Sequence, residues 1–470
     1  MHSISKFGLV SSLMLVLTGC ERYAQRPLQS EQILASVERQ RHLISATDSA
    51  DVAGSPTNSA PVPITFTRAV DLMKTHSPTL KEVRAEYESA QALALVKTPL
   101  PNPAFEAGPQ YGFGPKVSHL YRLQPFGSLG FAIPTGQRLK RQDELNCAMA
   151  GLACVETQVR HRELYLELRK DYMRLALGKQ RVSKRIQLIE SSEKSTSVTK
   201  KSVEAGFATE LDVGLIELEQ AKLRAEVLTA QTDLIGVEGE LSQLIGVAAD
   251  QLTAQPEDDL PKLPEVLPPL ADLQSMLVNN HPGLARLRAN YEVAERQLHL
   301  EIAKQYPDFK IGPTYDHERG EQKTSIGLGL GIDIPLFDRN QQAIATAKQK
   351  REEIRIKYEA AANRALAILE RAYRTSQLSS EKLKLLNTVV LPRANKNIEL
   401  ARKALKTGQT DALRFLETER GQRTVLLDAL EAELSVRSAW IELEQAVGYL
   451  LTTFPNESLS DTPPLDLSHE

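Results

Sequence analysis

Aromatic residues make up only 5% of this chain, there is a single tryptophan, and cysteine occurs three times. So few rings argue against one compact core in a chain this long. Long helices packed side by side, rich in Ala, Leu, Glu, Lys and Gln, need fewer. Cys147 and Cys154 lie seven residues apart in a helical stretch. Their Cα atoms would then be roughly 10 Å apart, beyond disulfide reach, and both read as small helix-packing residues. After residue 20 no run of eighteen apolar residues occurs, which excludes a transmembrane helix there. The 57 basic and 60 acidic side chains leave a net charge of −3, so no polybasic surface exists and nucleic acid is not an expected partner. Metal triad, nucleophile elbow and phosphate loop are all missing, and the nine histidines are scattered. The expectation is therefore no enzyme, no catalytic residue, no metal site and no cofactor. His76 and His281 stand beside prolines that start helices and read as capping or surface residues.

What the chain does have is two copies of one pattern. At an offset of 204, Pro78, Leu80, Ala85 and Tyr87 fall on Pro282, Leu284, Ala289 and Tyr291, and Pro103, Phe105 and Tyr111 fall on Pro307, Phe309 and Tyr315. At 201, Leu129-Gly130 and Ile133-Pro134 fall on Leu330-Gly331 and Ile334-Pro335. At 202, Gly206, Leu211, Glu240 and Gly246 fall on Gly408, Leu413, Glu442 and Gly448. Each unit reads as a helix, two strands, a very long helix and a medium helix. Between the units, Pro256, Pro261, Pro264, Pro268 and Pro269 make a stiff, extended linker. Residues 24–63 are polar, then Ser/Ala/Pro-rich, and read as a flexible or surface-draped lead-in.

The strands alternate. Phe105, Ala107, Pro109 and Tyr111 share one parity, as do Tyr121, Leu123, Leu129, Phe131 and Ile133, and as do Ile326, Leu328, Leu330 and Ile332. The other parity is polar or small and includes Glu106, Arg122, Lys310 and Asp333. About ten residues per strand suits a tilted bilayer crossing, and apolar-out, polar-in alternation suits a barrel with a wet lumen. The alternative is an amphipathic sheet packed on helices. Four strands cannot close a barrel, and open edges are not tolerated in lipid. Copies must then share one, and three copies supply twelve strands, enough for a lumen.

From Gln137 to Ala205 there is no proline. That stretch predicts a helix on the order of 100 Å long. Leu145, Leu152, Val159, Leu166 and Met173 recur every seven residues, as do Leu168, Leu175, Val182 and Ile189. Two heptad seams on one helix predict two neighbours and a left-handed supercoil. Helices over Pro78–Val96 and Thr209–Leu244 would stack end to end beside it.

At the N-terminus, Lys6, a short apolar run over Phe7–Leu17 and then Leu17-Thr18-Gly19-Cys20 resemble the lipobox of bacterial lipoproteins. The resemblance implies cleavage before Cys20, lipidation of its thiol and, with Glu at 21, sorting to the outer membrane. From Ile64 to Leu451 the chain resembles the TolC family of outer-membrane factors. The matching features are the two units, the strand-ending Ile334-Pro335-Leu336-Phe337-Asp338-Arg339-Asn340, the tips Ala205-Gly206-Phe207 and Thr407-Gly408-Gln409, Leu391-Pro392, and Leu443 to Gly448. The family implies an α+β membrane protein: a long-helix α-barrel plus a transmembrane β-barrel shared by a homotrimer, built on an internal tandem duplication. It implies a tripartite efflux system with a periplasmic adaptor and an inner-membrane pump of the RND type, the energy coming from the pump. The expected organisation is a signal peptide over 1–19, a lipidated lead-in over 20–63, units over 64–249 and 270–451, a linker over 250–269 and a tail over 452–470.

By the same resemblance, Gly206, Phe207, Thr209, Asp212, Gly408, Gln409 and Asp411 are the adaptor-contact candidates at the helix tips. Glu106, Arg122, Lys310 and Asp333 would line the barrel lumen. Family members narrow the pore with acidic rings, but Arg414 stands where TolC has an Asp. Intersubunit pairs such as Arg414 with Glu417 are the alternative gate. The pattern looks somewhat like the heavy-metal branch, with drugs as the other cargo class. A periplasmic coiled-coil lipoprotein acting as a structural or adaptor component is the competing reading.

Overall fold

A computed structural model describes residues 23–48, 63–111, 123–204, 209–249, 253–254, 260, 263–264, 266–318, 323–407 and 409–452. The chain divides into two units, Met1–Ser59 and Ala60–Glu470. The first contains α1, Ser30–Asp48. The lead-in, expected as flexible or surface-draped, is helical over 19 residues. This stretch contains neither Gly nor Pro and is rich in Glu, Gln, Leu and Arg, which lose little rotamer freedom in a helix.

The second unit is the repeat made solid. Its first half runs β1 (Pro63–Ile64), α2 (Phe66–His76), α3 (Pro78–Leu95), β2 (Ala104–Tyr111), β3 (Leu123–Ile133), α4 (Arg138–Glu204) and α5 (Glu210–Ile245). After β4 (Thr253–Ala254) the order recurs as α6 (Leu270–Asn280), α7 (Pro282–Ala303), β5 (Phe309–Glu318) and β6 (Lys323–Ile332). It closes with α8 (Gln341–Leu385), a π turn (Leu386–Val390), α9 (Leu391–Lys406) and α10 (Ala412–Val447). Helix α4 is 67 residues long, and α5 and α10 are 36 each.

The short helices α2 and α6 precede each copy of the predicted pattern. Their signal was present: Phe66, Ala69, Val70 and Met73 fall at i, i+3, i+4 and i+7 and are all buried. The Phe66 ring meets Tyr165 and Tyr172 of α4 edge-on, at 5.9 and 5.5 Å. In the second half, Leu273 and Leu277 of α6 pack with Leu369 of α8 and Leu443 and Val447 of α10.

The counterpart of unbroken α4 is interrupted. Pro392 cannot donate to the residue four back, and its ring crowds that carbonyl. Widening the preceding turn relieves this, and the Leu391 N–H bonds to the Leu386 carbonyl, five residues back.

All four long strands form one antiparallel sheet in the order β2-β3-β5-β6. The central β3–β5 pairing joins the two halves of the chain, and β2 and β6 are free edges. Helices follow the same plan. Near the sheet they pack in the order α3-α4-α7-α8. Further along, α5 packs on α4, α4 on α10, and α10 on α8 and α9. None of the described helices is long and apolar enough to cross a membrane.

Candidate functional site

Cross-strand register sets the two faces of the sheet. Phe105 pairs with Leu129, Phe131 with Ile311, Ile133 with Phe309, Ile311 with Leu330 and Tyr315 with Ile326, so one face carries an unbroken apolar field. It is uncovered: Phe105 is 74% exposed, Ile326 81% and Leu330 78%. The opposite face carries Glu106, Gln110, Gln124, Ser128, Lys310 and Thr314. Lys310 reaches Asp333, one residue beyond β6, at 2.7 Å. Three of the lumen candidates, Glu106, Lys310 and Asp333, therefore share one face; Arg122 lies outside the described residues.

The tip candidates fall at the helix starts. Thr209 and Asp212 form a capping box on α5: the Thr209 N–H and hydroxyl both donate to Asp212 Oδ2 at 2.8 Å, and the Asp212 N–H donates back to Thr209 Oγ1 at 3.3 Å. Asp411 caps α10, accepting from the Arg414 N–H at 2.7 Å. The Gln409 N–H bonds to the Ala404 carbonyl at 2.8 Å. Gly206, Phe207 and Gly408 lie outside the described residues, as does Cys20. Just past each cap is a leucine that sequence reasoning did not single out as a contact residue. Leu211 and Leu413 occupy equivalent positions and are 72% and 52% exposed.

Arg414 and Glu417 are both exposed on the single chain, where a neighbouring copy could reach them. Within the chain a different tie is present at this end. Glu219 of α5 accepts from Arg420 at 2.7 Å and from Arg423 at close range, bridging the α5 and α10 helices of the two halves. Burial pushes the Glu219 carboxyl up, but the two guanidiniums outweigh it and hold it below the usual carboxylate range. Beside it is a cavity of about 320 Å³ lined by Leu188, Asn395, Glu399, Arg402 and Arg423. No sequence pattern linked Glu219 to Arg423, because their partnership depends on how two distant helices cross.

A second charged group sits at the other end of α10. Arg169 of α4 and Glu444 are both fully buried, 3.4 Å apart. Arg169 donates to the Thr452 carbonyl and hydroxyl at 3.0 and 2.7 Å, while Glu444 accepts from the Leu451 and Thr452 N–H groups at 2.8 and 2.7 Å. The pair clamps residues 451–452 onto α4. His281 caps α7 through Nδ1, which accepts from the Leu284 N–H at 3.4 Å. Cys154 is half-buried and Cys147 is exposed on the single chain. No group of three or more metal-capable side chains occurs among the described residues.

This geometry has known counterparts. Residues 273–449 match the outer membrane efflux protein family. The chain is 22% identical over 368 residues to the cobalt-zinc-cadmium resistance protein CzcC of Cupriavidus metallidurans, covering 76% of this chain and 84% of CzcC. It superposes on the outer-membrane channel OprN with a TM-score of 0.69 and 20% identity, covering 82% of this chain and 89% of OprN. For CusC the TM-score is 0.66 and the identity 16%, over 85% of this chain and 99% of CusC. The chain thus shares the fold of these solved structures, and in it long helices join a four-stranded antiparallel sheet.

Proposed function

We propose that this chain is one subunit of a trimeric outer-membrane efflux channel. One observation carries the reading: among the described residues, every layer of the second unit leaves the same two edges without a partner. In the sheet these are β2 and β6. In the helices they are α3 with α5 on one side and α8 with α9 on the other. Both helical edges keep apolar rows in solvent, with Leu218, Leu228 and Ile235 on α5 and Ile356, Leu378 and Leu385 on α8. β2 and β6 run antiparallel, so β6 of one copy can extend into β2 of the next. A head-to-tail contact of this kind closes as a ring. Three copies bring twelve strands, turn the apolar field toward lipid and enclose the face bearing Glu106, Lys310 and Asp333.

In this reading the chain is exported by residues 1–19, anchored through lipid on Cys20, and built from units over 64–249 and 270–451. The helix tips meet a periplasmic adaptor, which links the channel to an inner-membrane pump. The Glu219–Arg420–Arg423 tie holds the periplasmic end narrow. No catalytic residue is needed, since the pump supplies the energy. Likeness to CzcC supports heavy-metal cations as the cargo.

The test is purification of the mature protein in detergent. Native mass should equal three chains, and planar bilayers should show conductance that rises when Glu219 is neutralised. A protein that stays monomeric and soluble without detergent refutes the proposal.

A further inference from the structure

The chain contains one seam between its halves at the foot of the sheet, where the segment after β3 meets the segment before β5. Thr135 donates to the Pro307 carbonyl at 2.5 Å, and Arg138 pairs with Asp308 at 2.9 Å. Gly136 lies against Tyr306: a Cβ at Gly136 would fall 2.7 Å from the Tyr306 ring and 3.1 Å from the Tyr306 Cβ. The tyrosine ring fills the space that a side chain at 136 would need.

The internal repeat carries each side of this seam to an outer edge of the chain. Counting from the shared Ile-Pro, Thr135 and Gly136 correspond to Leu336 and Phe337, after β6. Counting from the shared Pro-x-Phe, Tyr306 and Pro307 correspond to Asn102 and Pro103, before β2. The bulk is exchanged. Glycine faces tyrosine within the chain, whereas the edge segments offer a phenylalanine and an asparagine. The ion pair is also lost, because Arg138 corresponds to Arg339 but Asp308 corresponds to Ala104. Phe337 is 92% exposed, Leu336 65% and Leu100 65%.

We propose that Phe337 of one copy seats on the Leu100–Pro103 segment of the next, beside Asn102, its ring occupying the space that the Tyr306 ring fills at the seam inside the chain. This rests on the ring reading above, and it names the contact that completes the ring at the junction of sheet and helices. The occupant is a second copy rather than lipid. The two segments flank the two edge strands that must pair, they lie at the same end of those strands, and their in-chain equivalents are already in contact. Burial of an aromatic ring takes over from the ion pair and hydrogen bond of the inner seam, whose acid and hydroxyl have no counterpart at this joint.

The experiment uses the full chain in detergent with Cys147 and Cys154 replaced by serine. The in-chain Cβ separation at 136 and 306 lies near disulfide range. The pair N102C with F337C should therefore oxidise to covalent dimers and trimers on non-reducing gels, while either single variant gives none. A parallel F337W variant in vesicles of brominated lipid should lose little emission beyond that of the native Trp440 background. A trimeric native mass without cross-linking, together with strong quenching of F337W, would place Phe337 in lipid and overturn the contact while leaving the trimer intact. A monomeric native mass would overturn the trimer reading and, with it, this contact.

Discussion

Gly246 and Gly448 end α5 and α10 in the same left-handed conformation, at φ 81° and 73°, each pressed against backbone at the end of the preceding short helix. A Cβ on Gly246 would lie 2.8 Å from the His76 carbonyl oxygen, and one on Gly448 would lie 2.5 Å from that of Asn280. Both the positive φ and the missing side chain are required at each site. Alanine at either position should cost about 1–3 kcal/mol. A lowered thermal midpoint of the detergent-solubilised protein is the readout, with G448A the worse of the two.

The Arg169–Glu444 pair is sealed from solvent, so removing one member strands the other. R169M or E444L alone should destabilise by about 3–5 kcal/mol, and the R169M/E444L double variant by less than either. Denaturant unfolding of the three variants tests this. Additive losses would show that the two side chains do not depend on each other.

Glu219 ties the two halves through unequal partners. Arg423 is 11% exposed and Arg420 60%. R423M should remove about 1.5–3 kcal/mol, whereas R420M, screened by water, should remove less than about 1 kcal/mol. The carboxyl is depressed in the folded state, so its contribution is fully present above its ordinary value of 4.5 and fades as pH falls through the lower folded value. Single-channel conductance should rise at that acid end, and E219Q should show the raised conductance already at neutral pH.

At the tips, capping and contact are separable. D411A should cost about 1 kcal/mol through loss of the bond to the Arg414 N–H and speed amide exchange in the first turn of α10. L413S should leave exchange unchanged but weaken capture of the adaptor. If L413S instead loosens the helix start, the exposed leucine is structural.

The two faces of the sheet should respond oppositely to charge. L328K places an ammonium in the apolar field at a cost of about 2–4 kcal/mol near mid-membrane and should lower the yield of assembled trimer. T314K, on the other face of the neighbouring strand, should assemble normally and shift ion selectivity in bilayers.

The alternation of Ile326, Leu328 and Leu330, the long proline-free helix and the duplicated Pro-x-Phe were legible because each is local. Period two, period seven and a fixed offset need only the neighbouring residues. The tie from Glu219 to Arg423 and the clamp from Arg169 to Thr452 were not legible. Each joins helices remote in sequence, and no spacing along one helix encodes where a second will cross it. Helix α2 had a readable stripe, yet it was hidden beside the stronger proline signal at Pro78.

By itself, then, the sequence determined the repeated order of elements, the lengths of α4 and α5 and which parity of each strand is apolar, since backbone sterics and periodicity act within a few residues. Tertiary structure decided the strand order β2-β3-β5-β6, the partners of the buried charges and the seam at Thr135 and Pro307. Those depend on long-range closure, in which the free energy of burial selects one pairing among many that local pattern permits.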